Sequence, residues 1–212
     1  MSESRRPIKS RSNRTIVALA GWLARSAVTP NQISSASVVF AAIGAAALLR
    51  PDNLWAMLLA MAGIQLRLLC NVIDGLVAVE GGKQSVVGAL YNEFPDRLAD
   101  SLLLVAAGYA VAAPSLGWAA ALLAALTAYV RVFGGAVGLP QRFIGPMAKQ
   151  HRMALLTLAC AATAGERMLG LSHHSLWIAL AVIAAGSAVT CVTRTRAIVR
   201  DLQRTDGSAS HA

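Results

Sequence analysis

Two short stretches concentrate the polar residues of an otherwise apolar region. Arg67, Asn71 and Asp74 follow at i, i+4 and i+7, the spacing that puts three side chains on one face of a helix. Asn92, Glu93, Asp96 and Asp100 come next, and Asp96 and Asp100 again share a face. Ionisable groups beside apolar runs persist where they line a wet cavity, pair with one another or bind an ion. Oxygen ligands without His or Cys favour Mg2+, Mn2+ or Ca2+ over zinc or copper. Mg2+ in particular takes one or two carboxylates and fills its other positions with water and phosphate oxygens. The expected chemistry is therefore a divalent cation held against a phosphate or diphosphate. The plainer alternative is that these acids cap helices or pair with Arg67 and Arg97.

The elements that must position them are membrane helices. The chain has 212 residues, 56% hydrophobic and 14% charged, too little polar surface to clothe a water-soluble domain. Apolar runs of about 20 residues match a hydrocarbon core of ~30 Å. They fall near Ile33–Leu49, Leu54–Val79, Asp96–Ala113, Leu116–Gly138, Met153–Leu171 and Leu176–Val192, with Glu166 and Arg167 interrupting the fifth. The expected fold is all-α and polytopic, with six transmembrane helices and an amphipathic N-terminal helix (Ile16 to Leu23) lying in the interface. Three regions result: a basic segment with the interfacial helix (1–32), a six-helix membrane catalytic domain (33–193), and a basic, partly disordered tail (194–212).

A net charge of +9 would suggest nucleic acid in a soluble protein, but here its distribution counts. Arg5, Arg6, Lys9, Arg11, Arg14 and Arg25 precede the first span, Lys83 and Arg97 flank the second loop, and Arg142, Lys149 and Arg152 lie in or beside the fourth. Arg194, Arg196, Arg200 and Arg204 follow the last span, while only Arg50 and Arg167 fall opposite. Cytosolic loops retain positive charge, so both termini are expected in the cytosol, and with them the acidic cluster. Trp55, Trp118 and Trp177 begin the inward-running helices, at the headgroup belt that indole prefers. No nucleic-acid partner is implied. The charged N-terminus does not read as a cleaved signal, and Cys70, Cys160 and Cys191 show no disulfide or metal spacing.

The stretch from Asn71 to Asp96 resembles the CDP-alcohol phosphotransferase (phosphatidyltransferase) family, whose pattern is D-x-x-D-G-x-x-A-R-x8-G-x3-D-x3-D. Asp74, Gly75, Ala78, Gly88 and Asp96 match with unbroken spacing. Asn71, Val79 and Asn92 stand where the pattern has Asp, Arg and Asp, which marks a divergent member. Thr29-Pro30-Asn31-Gln32-Ile33-Ser34 is similar to the segment that opens the family's first membrane helix, and is also good helix-start chemistry, with Thr29 as N-cap and Gln32 completing a capping box. The basic loop QRFIGPMAKQHRM lies where the family holds an acceptor phosphate or lipid headgroup.

The resemblance implies a metal-dependent transferase of phospholipid synthesis (EC 2.7.8 type). It moves a phosphatidyl or substituted phosphoryl group from a CDP-linked donor, expected to be CDP-diacylglycerol, to an alcohol acceptor with release of CMP. Asp74, Asp96, Asn71 and Asp100 are the expected ligands of a two-cation Mg2+ or Mn2+ site. In unshifted register Asp96 is the last Asp; in a register shifted by one turn, which is preferred because it restores a carboxylate pair, Asp96 bridges metal and Asp100 becomes the last Asp, as base or fourth ligand. Gly75, Ala78 and Gly88 border the CDP moiety, and Arg131, Lys149 and Arg152 meet phosphate. A homodimer in a bacterial-type inner membrane is also implied, with Gly134 and Gly138 as a small-xxx-small contact. Two rivals are a catalytically silent CDP-lipid-binding homologue and a cation or proton transporter, which would want its carboxylates nearer the midplane.

Overall fold

Helix boundaries follow from local chemistry. The structure is a computed structural model describing residues 14–171 and 174–209, and among these there are seven helices and no strand. Thr29 caps α2 (Pro30–Leu48) as a full capping box: its Oγ1 accepts from the Gln32 N–H at 3.3 Å while its own N–H donates to Gln32 Oε1 at 3.0 Å. Asn53 caps α3 (Leu54–Glu80) by accepting from the Trp55 and Ala56 N–H groups. Pro114 opens α5 (Pro114–Ala136) at a position where a missing N–H costs nothing. The short α1 (Arg14–Ala24), α4 (Gly88–Ala110), α6 (Lys149–Met168) and the long α7 (Ser175–Ala209) complete the order.

The chain is an all-helical membrane protein. Helices over Pro30–Leu48, Leu54–Glu80, Pro114–Ala136 and Ser175–Arg204 are long and apolar enough to cross a bilayer. Large apolar side chains such as Leu122, Leu158 and Ile178 are exposed around the outside. Inside, α2 packs on α3 and α4, α4 on α5, α5 on α7, and α6 on both α3 and α7. Met57, Ile64, Leu103, Leu104, Leu156 and Leu180 fill the centre and are fully buried. Ala20 on α1 joins Ile33, Ile73 and Val77 in a second small core, which fastens α1 to α3.

Glycines allow the closest helix crossings. A Cβ on Gly63 of α3 would lie 2.7 Å from the Phe40 carbonyl oxygen and 2.9 Å from Gly44 Cα on α2. Gly63→Ala is expected to cost about 1–3 kcal/mol by forcing the backbones apart. Gly165→Ala on α6, where nothing lies within 4 Å, should be neutral or slightly stabilising. Thermal unfolding of the two variants in detergent checks the contrast.

Three expectations change. Gly134 packs on Ile198 of the chain's own α7, and Gly138 lies past the end of α5 at φ 84°, so this pair is not a face offered to a second subunit. The third apolar helix begins at Gly88 rather than Asp96, adding two turns that carry Asn92 and Glu93. The tail from Thr205 continues α7 as helix to Ala209, since an already formed helix extends one hydrogen bond at a time. The basic residues Arg5, Arg6, Lys9 and Arg11 lie outside the described residues.

Candidate active site

Three helices bring the cluster together. Arg67, Asn71 and Asp74 line one face of α3, Asp96 and Asp100 face them from α4, and Lys149 and Arg152 reach in from the first turn of α6. Pro95 removes one rung of the α4 ladder immediately before Asp96. Arg67, Asp74, Asp96, Asp100 and Arg152 are all buried, and Asn71 is partly so.

Asp96 is the most shared acceptor. Its Oδ1 accepts from Asn71 Nδ2 at 2.7 Å and from Arg67 Nη2 at 3.4 Å, and its Oδ2 accepts from Lys149 Nζ. Asp74 accepts from the Ser34 hydroxyl of α2 at 2.5 Å, and its charge interacts with those of Asp96 and Lys149. Asp100 sits one turn deeper, and both its oxygens are occupied: Oδ1 by Arg67 Nη2 at 2.5 Å, Oδ2 by Arg152 Nη2 at 2.8 Å. Arg152 also donates to the Met147 carbonyl and Thr127 Oγ1, which fixes its plane. Arg67 keeps Nε and Nη1 without partners although it is fully buried.

The other expected residues are placed as follows. Gly75 and Ala78 continue the α3 face toward its end and are partly buried. Gly88 opens α4, where an added Cβ would meet only Ser85 Oγ at 3.4 Å. Val79 and Asn92, two of the departures from the motif, are exposed, whereas Asn71 is within the cluster. Arg131 is apart from the carboxylates of Asp96 and Asp100. It donates to Glu93 at 2.5 Å and to Gln141, and lies 5.0 Å over the Phe143 ring. With Arg142, Arg194, Ile198 and Asp201 it lines a separate cleft between α5, the following loop and α7. Arg142 makes a two-pronged pair with Asp201, and Arg194 donates to the Ile144 and Thr127 carbonyls. His151 is exposed and turned onto the Pro146 carbonyl.

Ser34 and Arg194 were not assigned to the site by sequence, although Ser34 closes the Thr29–Ser34 segment and could have been found from it. Glu93, grouped by sequence with Asn92, Asp96 and Asp100, instead joins Arg97 and Arg131. Among the described residues no three His, Cys, Asp or Glu side chains converge as a ready metal cage. The carboxylates of Asp74 and Asp96 nonetheless suit a hard divalent cation that takes its remaining ligands from phosphate and water, whereas Asn71 presents its amide nitrogen to Asp96 and would offer its oxygen only with the amide turned.

No protein-family model matches the chain. It is 30% identical over 176 residues to an archaetidylinositol phosphate synthase of Aeropyrum pernix, covering 82% of this chain and 84% of that protein. Its fold is similar to a Mycobacterium tuberculosis phosphatidylinositol phosphate synthase with CDP-DAG bound, with a TM-score of 0.74 and 19% identity over 88% of this chain and 94% of that one. The same synthase in complex with manganese and citrate gives a TM-score of 0.73 at 18% identity, over 86% and 88% of the two chains. Relatedness over four-fifths of both sequences, together with the matched motif on the facing ends of α3 and α4, establishes that the chain belongs to the CDP-alcohol phosphotransferase family.

Proposed function

We propose that the chain transfers a phosphatidyl group from CDP-diacylglycerol to a hydroxyl of a phosphorylated polyol of the inositol phosphate class. The observation that carries this is a carboxylate cluster on α3 and α4 and a separate group of arginines between α5 and α7, linked through Glu93. Asp74 and Asp96 bring carboxylate oxygens together with Asn71 beside them, while Arg131, Arg142 and Arg194 surround a small cleft in which Asp201 holds Arg142, and Glu93 ties Arg131 back to α4. One suits a diphosphate with its cation, and the other offers a phosphate guanidinium forks once Arg142 turns from Asp201 and the cleft opens. The names of the archaeal and mycobacterial relatives point to the same acceptor class.

The cofactor is a divalent cation, Mg2+ or Mn2+. When bound it offsets phosphate charge and aligns the diphosphate, which is most of what phosphoryl transfer requires. Its proposed ligands are Asp74, Asn71 and Asp96. Asp96 also takes the proton of the acceptor hydroxyl as the new oxygen–phosphorus bond forms, and CMP departs with the electron pair of the broken anhydride bond. Asp100, its oxygens already held by two guanidiniums, is better suited to anchor Arg67 and Arg152 than to serve as the base. Gly75, Ala78 and Gly88 border the nucleotide.

The membrane arrangement belongs to the same proposal. Alongside the four apolar helices, α4 and α6 cross with Asp96, Asp100 and Arg152 turned into the bundle, giving six spans, and α1 lies in the interface. Trp55, Trp118 and Trp177 are exposed where α3, α5 and α7 begin, which supports a cytosolic active site at the opposite ends. The 1–32, 33–193 and 194–212 division, the bacterial inner membrane and a homodimer complete the reading; sedimentation of the detergent-solubilised protein measures the last.

The test is CMP release by purified protein from CDP-diacylglycerol, offered inositol phosphate, glycerol phosphate and free inositol in turn. Turnover with a phosphorylated acceptor, lost on adding EDTA, is expected. Equal turnover with free inositol would remove the acceptor-phosphate assignment. Arg142→Ala should raise the acceptor KM about tenfold with kcat little changed, since its contact is made equally before and during reaction. The rival reading, a silent CDP-lipid-binding homologue, draws on Asn71, Val79 and Asn92 in place of motif residues. CDP-lipid binding without CMP release from any acceptor would favour it.

A further inference from the structure

Among the described residues three cations face the carboxylate cluster, and one of them is free to leave. The Arg67 side chain is 0% exposed and that of Arg152 is 2% exposed, and Asp100 holds both. The Lys149 side chain is 27% exposed, and its ammonium sits on Asp96 Oδ2 while also interacting with Asp74 and Asp100. The backbone beneath it is fixed. Met147 N–H donates to Thr190 Oγ1 at 2.9 Å, Arg152 Nη1 donates to the Met147 carbonyl, and Gly145, at φ 110°, presses against Thr190 where no side chain would fit. Of the three cations Lys149 alone has solvent beside it into which its side chain can turn. An ammonium on four methylenes is a compact, well-hydrated charge that rotates freely, unlike a planar guanidinium held by several bonds.

A divalent cation bound by Asp96 and Asp74 needs the same oxygens and brings charge of the same sign. We propose that Lys149 is an internal counter-ion: it neutralises Asp96 while the site lacks metal, is displaced when a divalent cation enters, and then turns its ammonium to a phosphate of the incoming CDP-linked substrate. Cation entry and nucleotide binding are thereby coupled through one side chain. This rests on the cation site proposed above, but assigns to Lys149 a competition with metal that the site alone does not require.

The experiment measures Mn2+ binding to the purified, detergent-solubilised full chain by the EPR signal of free Mn2+, with no CDP-lipid present. Relative to the natural chain, Lys149→Gln is expected to bind Mn2+ about two- to fivefold more tightly, the scale of one partly exposed ion pair removed as competitor. Lys149→Arg, which keeps the charge, should stay near the natural affinity, and Lys149→Ala repeats the neutral test should the Gln variant fold poorly. With Mn2+ saturating, CDP as the probe nucleotide should bind several-fold more weakly to Lys149→Gln. Unchanged or weaker Mn2+ binding in both neutral variants overturns the counter-ion role. If Asp96→Asn still abolishes Mn2+ binding in that case, the cation site survives without it. Absence of Mn2+ binding in every form, the natural chain included, removes the cation site and the counter-ion together.

Discussion

Asp96→Asn is expected to lower CMP release from CDP-diacylglycerol by about 10²- to 10⁴-fold, the range a positioned general base contributes. Asn keeps the shape and one carbonyl oxygen, so Asn71 and Lys149 still find a neighbour, but the proton acceptor and the charge that attracts a cation are gone. The fold should tolerate the change. Arg67 retains Asp100, and the partly exposed Lys149 ammonium can turn to water, so the stability cost is about 1 kcal/mol. Nucleotide release measured beside thermal unfolding separates the two effects: full activity in a folded Asp96→Asn protein would remove Asp96 from the chemistry.

The opposite pattern is expected at Asp100. Its carboxylate is the shared partner of two guanidiniums from different helices, one fully buried and the other 2% exposed, so Asp100→Ala strands two positive charges inside the bundle. Removing one member of a buried ion pair costs about 3–5 kcal/mol. For a chain of this size that corresponds to a fall in Tm of roughly 6–20 °C. Adding Arg67→Met should recover part of the loss, because an apolar side chain then replaces one uncompensated charge. Thermal unfolding of the single and double variants in one detergent provides the comparison. An Asp100→Ala protein with unchanged Tm but no activity would restore Asp100 as the base and the shifted motif register with it.

The two aspartates lie four residues apart on the same face of α4, and nothing in their spacing distinguishes them. Shifting the motif by one turn restores a carboxylate pair on paper, because Asp96 and Asp100 share a face just as Asn92 and Asp96 do, and the first of those carries no charge. Their partners distinguish them. Asp96 meets Asn71 and the partly exposed Lys149, and Asp100 meets Arg67 and Arg152, deeper in the bundle. Similarly, Gly134 and Gly138 have the spacing of a helix-contact pair, but Ile198 of α7 packs against Gly134.

By itself, the sequence determined what depends on neighbours along the chain. Apolar length, the capping box at Thr29 and the Asn53 cap set where helices begin, and helical periodicity put Arg67, Asn71 and Asp74 on a common face. The motif spacing was enough to identify the family. Only the tertiary structure decided which group meets which carboxylate: the Ser34 hydroxyl at Asp74 across 40 residues, Lys149 at Asp96 across 53, Arg152 at Asp100 across 52. The reason is physical. Helix formation is governed by contacts within a turn or two, whereas the partner of a buried charge is set by how helices distant in sequence cross, and that depends on packing at small residues such as Gly44 and Gly63.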